Sequence, residues 1–303
     1  MKIIDPHLHL FNVEQGDYHW LKADNPPFWS DKAVINKTFI ESDLVLESPL
    51  QLTSFVHIEA GFDNNQPERE IDWLEKHCQK PFVSIAALDL TKSSKDFSKQ
   101  IEKLIEYRSL VGVRHILDEQ ALLLLTNKQV QQNFNLLNDY GLNGYGLNKD
   151  SLIFEVQMPL TEHAPVNALC DVICDNAEIT FIINHSGFPP ADIHSIEWQL
   201  WQSNLLKIAM FPHTAIKCSG WEMTNRHYQS AWLNDNLALI FNVFGAKKMM
   251  LASNFPLCLF SKNSYQYYWL LLLNTEFFQA LAKQEQNALC YDNAFRLYQF
   301  SKS

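Results

Sequence analysis

Short apolar and β-branched runs recur along the chain, and between them the apolar positions fall at helical spacing. Ile3–Phe11, Thr53–Ala60, Phe82–Leu90, Val111–Leu117, Leu152–Met158, Thr180–Gly187, Thr214–Gly220 and Lys248–Pro256 read as strands. Helices are predicted over Pro67–Cys78, Phe97–Leu110, Thr161–Cys174 and Tyr228–Phe244, the last ending at Gly245. Lys262–Asn274 and Leu281–Phe300 read as closing helices. Strand–helix units of about thirty residues imply a parallel sheet, and eight of them close naturally into a (β/α)8 TIM barrel. An open doubly wound sheet more often carries a glycine-rich phosphate turn, and none is present.

Composition narrows the picture without redrawing it. With 303 residues, 35.1 kDa and 47% hydrophobic residues, the chain can bury a large core. No Pro/Gly/Ser-rich linker or charge block divides it, so residues 1–303 are expected to form a single domain. A net charge of −10 and a pI near 5.5 argue against nucleic-acid and anionic-membrane partners. The expected partner is a small molecule, with self-association into a homo-oligomer left open. The N-terminus has no basic region followed by a long apolar run, and Tyr267–Leu273 is too short to span a bilayer. The 6 cysteines form no CxxC pair, which suits reduced thiols and a cytoplasmic location.

Candidate chemistry lies at the strand ends. On an extended strand His7 and His9 share one face, with Asp5 beside them and Ile4, Leu8 and Leu10 opposite. Two such imidazoles suit a shared metal ion or a proton-handling pair. The other runs end in His57 and Glu59, Asp89, Arg114 and His115, Glu155 and Gln157, Asn184 and His185, Lys217 and Ser219, and Ser253 and Asn254. In a barrel such groups gather at one mouth, where the active site forms. The aromatic segment after the first strand, with Tyr18, Trp20 and Trp29, is a candidate lid.

Several of these motifs resemble a known family. Asp5-x-His7-x-His9, Gly112-Val113-Arg114-His115, Asn184-His185-Ser186-Gly187, Lys217-Cys218-Ser219-Gly220 and Ser253-Asn254-Phe255-Pro256 occur in the order expected of the amidohydrolase superfamily. More narrowly, the chain resembles TIM-barrel metal-dependent hydrolases of the branch holding sugar-acid and pyrone- or muconolactone-type lactonases. The resemblance implies that His7, His9 and His185 are metal-ligand positions for one divalent ion, usually zinc. It also implies that Asn254 stands where the family has an aspartate that takes a proton from water. An amide cannot accept that proton, and it removes an anionic ligand, so any metal is expected to bind weakly or not at all.

Hydrolysis of a small cyclic ester, a carboxylated or polyhydroxylated lactone, is the leading expectation. Glu59, His185 and Asn254 are the candidate catalytic residues. His57, Arg114, His115, Lys217 and Trp29 are the candidate substrate contacts. Two alternatives stay open: decarboxylation of an aromatic or enol acid, and a barrel that binds ligand without turnover. For single residues the structural reading also stands, with Arg114 paired to Glu155 or Asp89, Glu59 holding a histidine or arginine, and Lys217 in an internal ion pair.

Overall fold

Every apolar run becomes a strand: β1 Lys2–Leu8, β2 Gln51–Ile58, β3 Phe82–Ala87, β4 Leu110–Ile116, β5 Leu152–Gln157, β6 Ile179–Ile183, β7 Thr214–Cys218 and β8 Met249–Leu251. The computed structural model describes residues 1–142, 152–261 and 264–300. All strand pairings are parallel, in the order β1 to β8. The ring is drawn together beyond β8, where Asn254 N donates to His7 O at 2.9 Å and His9 N donates to Phe255 O at 2.7 Å. The fold is the expected (β/α)8 TIM barrel.

Two apolar layers hold the barrel. One contains residues from every strand, among them Ile4, Ile58, Ile85, Ile153, Ile182, Ala215 and Met250, and it fills the interior. Tyr298 and Ala294 from the last helical segment join this layer and stop the lower end. The larger layer packs the outer strand faces against the helices. Strand alternation then places Glu155 and Lys217 inside, each two residues past an interior apolar residue.

The structure corrects the sequence reading in a few places. On β1, Asp5 pairs with Phe55 but Leu8 with His57, so an extra residue is accommodated between them. This irregularity changes the phase of the strand. Ile4 faces the interior, whereas Leu8 and Leu10 join the outer core, so Asp5 does not share a face with His7 and His9. The helix expected over Phe97–Leu110 runs Ser94–Leu104, because Ser93 caps it by accepting from Asp96 N at 3.3 Å. Lys128–Leu142 and Ile196–Ala209 are further helices that the sequence reading did not include.

Of the expected segment Lys262–Asn274, residues 262 and 263 lie outside the described residues, and the helix itself is Tyr265–Leu273. The closing segment is not one helix, since Lys283–Asn287 and Asn293–Leu297 flank a π turn at Ala288–Asp292. Among the described residues, no helix is long and apolar enough to cross a membrane.

Candidate active site

The C-terminal ends of the strands surround a cavity of about 860 Å³, lined by His9, Glu59, Asp89, Arg114, His115, Gln157, His185 and Asn254 among others. Trp20, Trp29, Pro26 and Pro27 cover it from the β1–β2 connection. Trp20 Nε1 donates to Ala60 O at 2.7 Å, and Trp29 meets Phe260 edge to face at 5.5 Å. Tyr18 is not part of this cover. It is buried in the core, where its hydroxyl accepts from Asn12 N at 2.9 Å.

Three histidines meet at the deep end. The His7 ring lies 5.1 Å from that of His9 and 4.5 Å from that of His185. His185 begins a left-handed stretch in which His185, Ser186, Gly187 and Phe188 all have positive φ, from 51° to 67°. Non-glycine residues reach this conformation at a cost of about 1–2 kcal/mol each, so surrounding packing must impose it. Leu160 packs where a side chain at Gly187 would stand. A Cβ at Gly220 would fall 2.6 Å from His185 Nδ1, so glycine there lets the ring sit against β7.

The protonation of each ring follows from its neighbours. His9 Nδ1 lies 2.8 Å from Ile58 O, a pure acceptor, so Nδ1 carries the proton and Nε2 a lone pair. His7 Nδ1 lies 3.3 Å from the Lys217 ammonium, a pure donor, so here Nδ1 accepts and Nε2 carries the proton. That Nε2 is buried without a partner among the described residues. Burial, reinforced by the Lys217 charge at His7 and the Arg114 charge at His9 and His185, holds all three well below the ordinary histidine value. They are neutral imidazoles.

Lys217 is fixed from below. It donates to Glu155 Oε1 at 2.7 Å, and Tyr298 OH donates to the same oxygen at 2.6 Å. Burial pulls the Lys217 ammonium down to about 8, although Glu155 pushes the other way. Across the cavity Arg114 reaches Glu59 Oε1 with Nε at 2.8 Å, Glu59 O with Nη2 at 2.8 Å and Gln157 Oε1 with Nη1 at 2.8 Å. Burial raises Glu59 above the usual carboxylate range, against the lowering effect of Arg114.

Not every expected site residue reaches the cavity. His57 lies behind the lining, 1% exposed, donating from Nε2 to Glu70 Oε1 at 3.0 Å and accepting from Leu10 N at 3.3 Å. His7 and Lys217 sit one layer beneath it, whereas Trp29 and His115 line it. Asp5 turns to the outside, where it accepts from Ser253 N at 3.1 Å and Tyr265 OH at 2.8 Å. Burial lifts Asp5 to about 6 despite those bonds. Arg114 pairs with Glu59, not with Glu155 or Asp89. The sequence reading missed Glu222, which accepts from Asn254 Nδ2 at 2.6 Å. Its only cue is position, two residues past the Ser219-Gly220 strand end.

The residues around the imidazoles do not fit a divalent ion. His7 turns a protonated Nε2 to the cluster, and the Lys217 ammonium stands directly behind that ring. Glu59, Glu155 and Glu222 are each engaged elsewhere, by Arg114, Lys217 and Asn254. Among the described residues, no carboxylate is therefore free to join the imidazoles and add negative charge to the ion's surroundings. Among the described residues, no group of three or more His, Cys, Asp or Glu side chains is arranged to hold a metal.

Comparison with known proteins adds the following. A family model described as amidohydrolase matches residues 4–300. An uncharacterised protein, y4mH of Sinorhizobium fredii, is 27% identical over 306 residues, covering 98% of both chains. An amidohydrolase from Burkholderia multivorans, solved with HEPES and also with zinc, superposes with a TM-score of 0.77 at 18% identity over 99% of each chain. A candidate 2-pyrone-4,6-dicarboxylic acid hydrolase from Pseudomonas putida gives 0.69 at 18% identity, covering 99% of this chain and 98% of that one. At such identities the structural likeness is one of fold.

Proposed function

We propose, from the premise that this chain belongs to the amidohydrolase family, that it hydrolyses an uncharged, polyhydroxylated lactone without a metal ion. The observation that carries the reading is the Lys217–His7 contact. It turns a buried imidazole into a hydrogen-bond donor backed by a positive charge. The positive field this donor directs at the histidine end of the cavity suits the oxygen of an ester carbonyl, which gains negative charge as water adds.

In this reading water attacks the ring carbonyl carbon at the histidine end of the cavity. There His7 Nε2–H, one layer beneath the lining, and the Lys217 charge behind it favour the developing oxyanion through their field. Glu59 takes the proton from water. The Arg114 guanidinium meets the Glu59 side chain at Oε1, and the raised affinity of that carboxylate for protons suits a base. Collapse of the adduct breaks the ring C–O bond, the proton passes to the leaving alkoxide, and a hydroxy acid results. Asn254 holds water or a substrate hydroxyl without accepting the proton.

The lining favours one lactone class over the other. Arg114 is the one Lys or Arg on it among the described residues, against Glu59, Asp89, Asp118 and Glu119. With its guanidinium spent on Glu59 and Gln157, no cation among the described lining residues remains to pair with a substrate carboxylate. Acidic and amide side chains instead suit hydroxyl donors. The test is proton release from a panel of sugar-acid lactones beside carboxylated pyrones. Turnover of the neutral lactones is expected; selective turnover of the dicarboxylated ring, or carbon dioxide release from an aromatic acid, would overturn the proposal.

A further inference from the structure

Asn254 follows β8 with a left-handed backbone, φ 58°, and lines the cavity while only 1% exposed. Its amide nitrogen donates to Glu222 Oε1 at 2.6 Å. The amide thus turns its nitrogen to Glu222 and its oxygen away. That oxygen, Oδ1, is buried and has no partner among the described residues. Glu222 itself is fully buried in the short helix Trp221–Thr224 and lies outside the cavity lining, although its neighbour Met223 is on it.

We infer that Glu222 is a positioning residue, which fixes the Asn254 amide so that Oδ1 is held out as a hydrogen-bond acceptor for a molecule in the cavity. Without the carboxylate, either end of the amide can face inward, and a donor then competes with the acceptor at the same place. The pairing also explains why an amide suits position 254. A carboxylate there would stand within hydrogen-bond reach of Glu222, and two buried carboxylates at that distance cannot both ionise. Glu222 holds the amide, and Asn254 makes the contact with the cavity. Lactone hydrolysis enters this inference only in naming the attacking water as what Oδ1 receives.

The experiment is a double-mutant cycle on the full chain with Glu222→Gln, Asn254→Asp and the two combined, read first by thermal denaturation at fixed neutral pH. Asn254→Asp is expected to lower Tm by about 5 °C or more, because two adjacent buried carboxylates must share one proton or stand as like charges. Adding Glu222→Gln should recover at least half of that loss, since one carboxylate and one amide again face each other. Glu222→Gln alone should leave Tm within about 2 °C and lower kcat about ten- to a hundredfold on a lactone substrate, with KM little changed.

Additive Tm effects, or an Asn254→Asp protein as stable as the wild type, would overturn the pairing. Wild-type kcat in Glu222→Gln would overturn the positioning role. If Asn254→Asp fails to fold and the double variant folds, the pairing is supported; if both fail, the kcat of Glu222→Gln decides. Coupled Tm values in a protein that turns over no lactone would support the pairing and overturn the proposed function.

Discussion

Where β1, β7 and β8 end, His7, Lys217, Asn254 and Glu222 are sealed from solvent, while across the cavity, near the ends of β3 and β4, Asp89, His115, Asp118 and Glu119 meet it. The two walls obey different physics. In the sealed wall every ionic group needs a partner within hydrogen-bond reach, because burying an unpaired charge costs several kcal/mol. Lys217 has Glu155 as its counter-ion, the polar Asn254 amide is held by Glu222, and each contact fixes one arrangement. In the open wall water screens the charges and side chains can adjust. Fixed dipoles suit a reaction and adjustable groups suit recognition, so under the proposed function the chemistry falls to one wall and substrate choice to the other.

The sharpest way to break this contrast is to remove the charge at the centre of the sealed wall. Lys217→Met leaves Glu155 buried without its counter-ion and should cost about 3–5 kcal/mol in denaturant unfolding, together with at least a hundredfold in kcat. Adding Glu155→Gln should restore much of the stability and none of the rate. A restored rate would remove Lys217 from the chemistry. Glu59→Gln comes next, because Glu59 stands where the walls meet. It should lower kcat about 10²–10⁴-fold with the fold intact by circular dichroism. A loss no greater than that of Asn254→Ala would move the base elsewhere.

On the cover of the open side, Trp29→Ala should raise KM about three- to tenfold and leave kcat near wild type, measured by steady-state kinetics. The smallest expected effect is that of a chelator. Dialysis against one should change neither Tm nor rate, because the charge beside the histidines is supplied by Lys217. A rate lost on dialysis and regained with zinc would contradict the sealed-wall description.

The barrel was legible from sequence because strand runs need only local composition, and each run sits where a strand forms. The gathering of strand-end residues at one cavity was legible in outline for a related reason, since strand ends converge whatever the details. What was hidden lies in contacts between distant segments. The phase of β1 depends on an irregularity in its pairing with β2, so Asp5 could not be separated from His7 and His9 by alternation. Arg114 has several carboxylates within plausible reach, and only the packed barrel selects Glu59. His57 faces Glu70 because its neighbours Val56 and Ile58 claim the interior. Glu222 lies in a four-residue helix that carries no periodic signal of its own.

The contacts that support the histidines share one further property, their reach along the chain. Glu155 and Tyr298 are 143 positions apart, His7 and Lys217 are 210, Asp5 and Ser253 are 248, and Asp5 and Tyr265 are 260. Closing such loops costs conformational entropy before any contact repays it, so pairings of this span form late. A chain that has built its neighbouring strand–helix units can therefore hold most of its secondary structure while the histidine cluster has yet to assemble. During refolding, helical signal should return ahead of any activity. The reverse holds on the way out, where loosening of the first or last segment would disarm the protein well before the barrel itself melts.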